Sequence, residues 1–463
     1  MNNYNLKYVM AITLVSAMGG LLFGYDWVVI GGAKPFYEAF FHLDSTASVG
    51  WAMSCALVGC LIGALFAGTL SEYFGRKKLL LAAAFIFVFT SLGTGLAGTF
   101  SVFVVYRILG GVAIGMASSL SPMYIAEISP SEKRGMFVSI NQLTIVIGIL
   151  LAQLVNWLIA EKVPEGVTRA EILNSWNAQS GWRWMFAVTA IPAFLFFVLT
   201  YFIPESPRWL IKKEKEAKAR KILAKIGGPL YANQSAGQIL DSVRNETGRV
   251  RLGDMTEKKV MKILALGIFI AIFQQWCGIN TILYYAEEVF SAAGFGVSDI
   301  LFNIVITGSV NLVFTFVAIR LVDRVGRKVL MLTGAGGLAI TYLILGGGFY
   351  SGFTGWGMVL LVVTAVAIYA FTLAPVTWVI ISEIFPNRIR GAAMSVAVFF
   401  LWSASFALTY TFPALNENLG TARTYWLYAL ICVSGFWILY RKLPETKGKS
   451  LEDIEKEIIN SQE

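Results

Sequence analysis

The chain has 463 residues, of which 57% are hydrophobic and only 14% are charged. Soluble domains carry about 25% charged residues, so this composition excludes a soluble globular protein and indicates a protein surrounded by lipid. The net charge of +9 is a feature of many nucleic-acid-binding proteins, but here the cations are distributed over alternate loops, which argues against nucleic acid as a partner.

Twelve apolar stretches along the chain predict an all-α membrane protein. Each has roughly 20 residues, enough to cross a hydrocarbon layer of about 30 Å. A β-barrel is disfavoured because its strands need only about 10 residues and alternate in polarity. We number the stretches as spans 1 to 12 and predict them at 9–30, 49–70, 79–98, 100–122, 137–159, 183–203, 262–286, 300–320, 329–349, 357–382, 392–413 and 424–441.

The distribution of cations predicts the orientation of the spans. All but six of the 37 Lys and Arg residues lie in alternate loops or terminal segments, as the positive-inside rule describes. The six are Lys34, Arg107, Lys162, Arg169, Arg183 and Arg423. We therefore expect an inner-membrane protein embedded in the bilayer with both termini in the cytosol. Neither the four Cys residues, all inside spans, nor the single His forms a metal-ligating pattern, so no metal or cofactor is expected.

Two charged residues stand out inside the predicted spans of the first half, Asp26 in span 1 and Arg107 in span 4. At 1.5 Å per residue, they fall about 9 Å and about 6 Å outward of the bilayer centre, so they can meet. A charge at this depth costs about 2.5–3.5 kcal/mol and usually faces a partner or a cavity. One interpretation is a permanent salt bridge. The other is a proton switch, in which burial drives protonation of Asp26 once Arg107 withdraws.

Buried amides form a second group. Span 7 carries Gln274, Gln275 and Asn280, with Gln142 in span 5 and Asn311 in span 8. Amides donate and accept hydrogen bonds, which suits hydroxyl groups, although amides also join membrane helices to one another. On an ideal helix the three amides of span 7 would not share a face. We therefore expect span 7 to depart from a regular helix near Gly278.

Aromatic residues accompany the amides: Tyr284 and Tyr285 at the end of span 7, Trp378 in span 10 and Trp402 in span 11. Such rings offer an apolar face and a polar tip, and a sugar offers apolar C–H faces and a rim of hydroxyl groups. Amides and aromatics together predict a site for a neutral polyol. An anionic substrate would require more buried cations.

The loops on the cytosolic side repeat between the two halves of the chain. SEYFGRKK (71–78) matches VDRVGRKV (322–329), and AEISPSEKRG (126–135) matches SEIFPNRIRG (382–391). The repetition predicts two pseudo-symmetric six-helix bundles, as in transporters that move two bundles about a central site. Opposite charges recur in these loops and predict a cytosolic charge network, with exposed surface charge as the alternative. Its members are Glu72, Arg76, Glu127, Arg134, Asp323, Arg327, Glu383 and Arg390.

The polar stretch between spans 6 and 7 predicts amphipathic cytosolic helices over 206–227. The predicted domains are an N-terminal bundle at 1–203, a linker at 204–260, a C-terminal bundle at 261–442 and a cytosolic tail at 443–463.

Motifs along nearly the whole chain make it resemble the sugar porter family of the major facilitator superfamily. They include FGYD, RILGG, PMYIAEISPSEKRG, PESPRWL, FQQWCGIN, WVIISEIFPNRIRG and PETKGKS. Within the family, the chain looks most like the bacterial xylose–proton symporters and next like the facilitative glucose transporters. The resemblance implies the major facilitator fold and alternating access.

The resemblance also implies residue roles. It makes Asp26 the proton-binding residue with Arg107 as its partner, and Tyr284 an outer-gate residue, to which we add Tyr285. The implied sugar contacts are Gln142, Gln274, Gln275, Asn280, Asn311, Trp378 and Trp402. The chain departs from the xylose symporters at Ile149 and Leu401, which replace glutamines, and at Thr189, which replaces a glutamate.

The resulting expectation is a monosaccharide–proton symporter that acts as a monomer, with pentose and hexose both open as substrates. A uniporter of the same fold is the first alternative and a non-transporting sugar sensor the second. We do not expect an enzyme, because the glycine clusters lie in spans, where small residues serve helix packing.

Overall fold

A computed structural model describes residues 4–163, 169–245, 258–385 and 390–445, and within these ranges the regular structure is helical. Twelve of the described helices are long and apolar enough to cross a membrane, which confirms the predicted number of spans. Spans 1 to 12 are Leu6–Phe41, Thr46–Phe74, Arg76–Gly95, Phe100–Ile128, Arg134–Ile159, Asn177–Phe202, Val260–Tyr284, Val297–Ala318, Arg327–Tyr350, Trp356–Ile381, Ala393–Leu419 and Thr421–Lys442.

Span 1 extends well beyond its predicted end at residue 30. The prediction stopped where Lys34 and Glu38 interrupt the apolar sequence, but the helix continues through Pro35 to Phe41. Lys34 Nζ lies 3.2 Å from Glu38 Oε1, one helical turn further on. Opposite charges at this spacing stabilise a helix, so the polar residues extend the span rather than end it.

Span 7 is broken at the predicted position. The helix Lys258–Trp276 ends before Gly278, and a new helix, Ile279–Tyr284, begins after it. Gly278 has a φ of 89°, in the left-handed region that costs other residues about 1–2 kcal/mol. A third helix, Ala286–Ala292, follows directly after the second one. The expected departure from a regular helix is confirmed.

Two other spans are also interrupted. Span 10 consists of the helices Trp356–Phe371 and Leu373–Ile384. The break falls four residues before Pro375, whose ring would clash with the carbonyl of residue 371 in a continuous helix. Span 6 combines a π-helical turn, Asn177–Gly181, with the helices Trp182–Ala187 and Ala190–Phe202.

Further helices lie outside the spans. Pro207–Lys212 and Glu216–Asn245 follow span 6, and the second has non-helical backbone at Gly227 and Gly228. They confirm that helices lie between the two halves, and the second continues beyond the predicted end at residue 227. Ser131–Lys133 forms a single 3-10 turn before span 5, and Arg169–Asn174 precedes span 6. Span 8 continues as a helix to Val325.

The chain divides into two compact units that do not coincide with the two halves of the sequence. Unit 1 comprises Met1–Asp26, Val58–Gly148 and Phe186–Arg249. Unit 2 comprises Trp27–Leu57, Ile149–Met185 and Val250–Glu463. Unit 2 therefore joins the second half of the chain to the predicted outer parts of spans 1, 2, 5 and 6. The division changes within span 1, directly after Asp26.

Glycines allow spans 1 and 5 to approach closely within unit 1. A Cβ on Gly24 would overlap the carbonyl oxygen of Ile145, and one on Gly148 would overlap that of Leu21. Small residues are typical of such close contacts between membrane helices. The packing places Asp26 one turn beyond Leu21, on a helix that is held firmly against its neighbour.

Candidate functional site

Asp26 and Arg107 form a buried ion pair within unit 1, as predicted. Arg107 Nη1 donates a hydrogen bond of 2.7 Å to Asp26 Oδ1. The guanidinium also lies over the ring of Phe186, 5.3 Å from its centroid. Asp26 Oδ2 is buried and has no hydrogen-bond partner in the described part of the chain. The pair thus uses one carboxylate oxygen and leaves the other available to a proton.

The three amides of span 7 form a continuous hydrogen-bonded chain within unit 2. Asn280 Nδ2 donates to Gln275 Oε1 at 2.6 Å, and Gln275 Nε2 donates to Gln274 Oε1 at 2.7 Å. Gln274 Nε2 in turn donates to the Tyr369 hydroxyl at 2.9 Å. The break at Gly278 makes this possible, because it brings Asn280 back toward Gln275. Asn280 Oδ1 stays buried without a hydrogen-bond partner among the described residues.

The other predicted contact residues differ in their exposure. Asn311 and Trp402 are buried in unit 2, whereas Trp378 is 37% exposed. Gln142 is half-buried and belongs to unit 1. The hydrogen bonds described for these four residues do not join them to the amide chain of span 7. Their role as sugar contacts therefore stays a prediction.

Both predicted gate tyrosines are buried in unit 2 against the outer part of the first half. The Tyr284 ring packs edge-on against Trp27, with 5.7 Å between centroids. Gly31 lies so close to the Tyr284 carbonyl that a Cβ there would come within 2.7 Å of the oxygen. The Tyr285 hydroxyl donates to the carbonyl of Thr409 at 2.6 Å. The contacts of Tyr284 hold the outer part of span 1 against the end of span 7, whereas the hydrogen bond of Tyr285 joins that end to span 11.

The predicted cytosolic charges form a network around Arg76 in unit 1. Arg76 Nη2 lies 3.0 Å from both Glu72 Oε1 and Glu127 Oε1. Glu127 also accepts a hydrogen bond from Ser206. Its described partners are thus Arg76 and Ser206 rather than the predicted Arg134, which is exposed. Arg134 begins the helix of span 5.

An equivalent network surrounds Arg327 in unit 2, where Arg327 Nη2 lies 3.2 Å from Glu383 Oε1. The backbone N–H groups of Arg327 and Lys328 donate to Glu445 at 2.9 and 3.1 Å. The predicted members Asp323 and Arg390 have side chains outside the described part of the structure.

Glu205 and Glu445 were not predicted as members of these networks. Glu205 Oε1 accepts from the backbone N–H groups of Arg76 and Lys77 at 3.0 and 3.1 Å, just as Glu445 does at Arg327 and Lys328. Each carboxylate therefore sits at the N-terminus of a span, where a negative charge is favourable. The echo between PESPR (204–208) and PETKG (444–448) was the available signal.

A cluster of charges around Lys34 was also missed. Lys34 Nζ lies 2.8 Å from Glu287 Oε2, 2.7 Å from Glu288 Oε1 and 3.2 Å from Glu38 Oε1, and Lys34 itself is 4% exposed. All four residues belong to unit 2. Burial raises the pKa of Glu288 to about 8, and its neighbour Glu287 adds to the effect although Lys34 opposes it. Only the Lys34–Glu38 spacing was visible in the sequence.

Comparisons with known proteins agree with this architecture. A family model described as "Sugar (and other) transporter" matches residues 12–458. The chain is 39% identical to the D-xylose-proton symporter of Escherichia coli, over 98% of this chain and 96% of that one. It is 37% identical to the arabinose-proton symporter of Bacillus subtilis, with the same coverage.

A solved structure gives the same result at the level of the fold. It is the proton:xylose symporter of the major facilitator superfamily bound to 6-bromo-6-deoxy-D-glucose, with a TM-score of 0.82 and 39% identity. The match covers 98% of this chain and 99% of that one. The fold and the buried polar sites thus define a membrane transporter with the major facilitator fold. The chain belongs to the sugar transporter family.

Proposed function

We propose that the chain is a monosaccharide–proton symporter that works by alternating access. The observation that carries this proposal is the buried Asp26–Arg107 pair, because a facilitative carrier of a neutral sugar has no need of a carboxylate at this depth. Relatives named as proton symporters for xylose and for arabinose share 37–39% identity over almost the full chain, which supports the same coupling here.

Asp26 is the proposed proton carrier. While Arg107 holds Oδ1, the carboxylate stays ionised; when a rearrangement moves Arg107 away, burial favours the protonated form. Oδ2 is already free of hydrogen-bond partners in the described structure and is the proposed protonated atom. The family resemblance implies a glutamate at the position of Thr189, so Asp26 is the one proposed coupling residue.

The amides of span 7 are the proposed core of the sugar site. Each amide in the Gln274, Gln275 and Asn280 chain can exchange its internal hydrogen bond for one to a sugar hydroxyl, because an amide both donates and accepts. The exchange conserves the number of hydrogen bonds and keeps a buried site satisfied when it is empty. Further proposed contacts are Gln142, Asn311, Trp378 and Trp402.

Opening on the outer side requires the contacts of the gate to separate. These are the Tyr284–Trp27 packing and the ion pairs of Lys34 with Glu287 and Glu288, which join the outer part of span 1 to the segment at the end of span 7. On the cytosolic side, the networks of Arg76 and Arg327 are the proposed counterparts. Tyr285 completes the outer gate.

The proposed arrangement in the cell follows from the charge pattern. Both termini lie in the cytosol, and the chain acts as a monomer in the inner membrane. The sequence halves at 1–203 and 261–442 are the proposed moving bundles, joined by the linker at 204–260 and followed by the tail at 443–463.

Uptake into membrane vesicles tests the proposal. One proton moving through 100 mV provides about 2.3 kcal/mol, so a proton motive force of about 150 mV supports accumulation of a neutral sugar by a few hundred-fold. We expect accumulation to disappear when an uncoupler is added, while equilibration of the sugar continues. Accumulation that survives the uncoupler would contradict proton symport, and equilibration without accumulation in untreated vesicles would indicate the uniporter.

A further inference from the structure

Gln153 is a buried amide that the proposed site does not yet include. It lies in span 5, four residues after Ile149, so the two side chains share one face of the helix and Gln153 stands one turn further outward. Gln153 is 2% exposed, and its Oε1 atom has no hydrogen-bond partner in the described structure. The position thus presents an unused acceptor inside the helix bundle, one turn beyond Ile149.

The Gln153 amide is pressed against span 8 at Gly308. A Cβ on Gly308 would overlap Gln153 Oε1, so glycine is the residue that leaves room for this side chain. Asn311, already proposed as a sugar contact, lies three residues further along the same helix. Gln153, Gly308 and Asn311 all belong to unit 2.

Asn303 presents a second unused amide on span 8. It is buried, and neither Nδ2 nor Oδ1 has a hydrogen-bond partner among the residues that the structure describes. Asn303, Thr307 and Asn311 are spaced by four residues, so they follow one face of the helix. A polar stripe thus runs along span 8 from Asn311 toward the outer side.

Unpaired amides at these positions are costly. Each buried donor or acceptor without a partner costs about 1–3 kcal/mol, and buried polar atoms in proteins are nearly always hydrogen-bonded. A ligand that brings donors and acceptors together removes this cost. An ion does not fit, because amides are neutral and no charged side chain is among the residues of this stripe.

We propose that Gln153 and Asn303 form an outer layer of the substrate site that binds a hydroxyl group of the monosaccharide. This inference rests on the proposed sugar transport. It implies that one further hydroxyl group, on the outward side of the bound sugar, is hydrogen-bonded by the protein. Gln153 would then help to determine which sugars bind.

Binding of deoxy sugars tests this layer. In the wild-type protein, D-glucose, D-xylose and each monodeoxyglucose are compared by their dissociation constants, and the same set is measured for Gln153→Met, which keeps the side-chain length and removes the amide. We expect Gln153→Met to weaken binding of the best parent sugar about tenfold. We also expect one deoxy analogue, the one that lacks the contacted hydroxyl, to bind the variant as it binds the wild type.

Gln238→Leu is the control, because Gln238 is exposed on the helix Glu216–Asn245 and should change no constant. Asn303→Leu is the second variant, with the same expected pattern. The inference is overturned if removal of each sugar hydroxyl weakens binding to both variants as much as it weakens binding to the wild type. This is the result in which the affinities of all sugars fall by one common factor. If the wild type binds none of the sugars, the proposed function itself fails, which separates the two ideas.

Discussion

Span 1 carries two ionic sites that differ in their balance of charge. Asp26 and Arg107 form a pair of one acid and one base in unit 1, whereas Lys34 faces three carboxylates in unit 2. In the first, removal of either partner leaves an uncompensated charge in the membrane. In the second, negative charge is in excess before anything is removed, so a proton on Glu288 relieves it. The balanced pair suits coupling that depends on a partner moving, and the unbalanced cluster suits a gate that responds to pH.

Loss of Arg107 should give the largest effect. Removing one partner of a buried pair costs about 3–5 kcal/mol, so Arg107→Met should lower the thermal stability of the purified protein markedly at pH 8. Removing Asp26 as well, in the double variant Asp26→Asn with Arg107→Met, should give a smaller loss, because no unpaired carboxylate is left. Arg107→Lys serves as the control that keeps a cation. Equal losses in the single and the double variant would contradict this account of the pair.

Gly278→Ala should give the second-largest effect, which is a loss of sugar affinity. A Cβ at Gly278 would lie 2.7 Å from Tyr428 Cγ, and the left-handed backbone costs about 1–2 kcal/mol for alanine. The break in span 7 should then shift, and Asn280 should lose its position beside Gln275. We expect sugar affinity to fall at least tenfold in equilibrium binding. Gly347→Ala is the matched control, since its Cβ would meet nothing within 4 Å; equal behaviour of the two variants would refute the role of the break.

Gln275→Leu should weaken sugar binding by a smaller factor. It leaves both Asn280 Nδ2 and Gln274 Oε1 without their hydrogen bonds, and each lost bond to the ligand or within the site is worth about 1 kcal/mol. We expect a fall in affinity of about tenfold, measured by calorimetry, with Gln238→Leu unchanged. Wild-type affinity in Gln275→Leu would show that the amide chain only joins parts of the protein.

Glu288 should give the smallest and most specific effect, on the pH dependence of the outer gate. Its pKa is about 8 where the carboxyl group is buried, as in this structure, and should approach about 4.3 when the carboxyl group is exposed by opening of the proposed gate. The closed state then binds more protons than the open state, so opening becomes easier as the pH rises between these values, by at most about 1.4 kcal/mol per pH unit. Lys34, Glu38, Glu287 and Tyr285 face Glu288 and remain unchanged in the Glu288→Gln variant.

Spin labels at exposed Ala47 and Ala292, both in unit 2, measure this opening. The four native cysteines are buried, so introduced cysteines should react first. The wild type should show a longer label-to-label distance more often at pH 8 than at pH 5, and Glu288→Gln should show the same distribution at both. A pH response that persists in Glu288→Gln would assign the sensor to another group.

Sequence periodicity and composition predicted the spans well, because length and apolarity are local properties. The break in span 7 was predictable from a glycine among amides that cannot share one face of a regular helix. The Asp26–Arg107 contact was predictable because the two residues lie at similar depths in their spans. Span 1 was predicted too short because hydropathy treats Lys34 as an end, and its charge is compensated by Glu287 and Glu288, more than 250 residues later. Such pairing depends on tertiary contacts, as does the burial of Gln153 against Gly308.

Proton movement during sugar transport tests the central claim most directly. In lightly buffered proteoliposomes, addition of the transported sugar outside should make the medium alkaline with the wild type, because each sugar enters with a proton. Asp26→Asn should still exchange labelled sugar across the membrane but should cause no change in external pH. Sugar-driven alkalinisation by Asp26→Asn at the wild-type rate would contradict the assignment of Asp26 as the coupling residue.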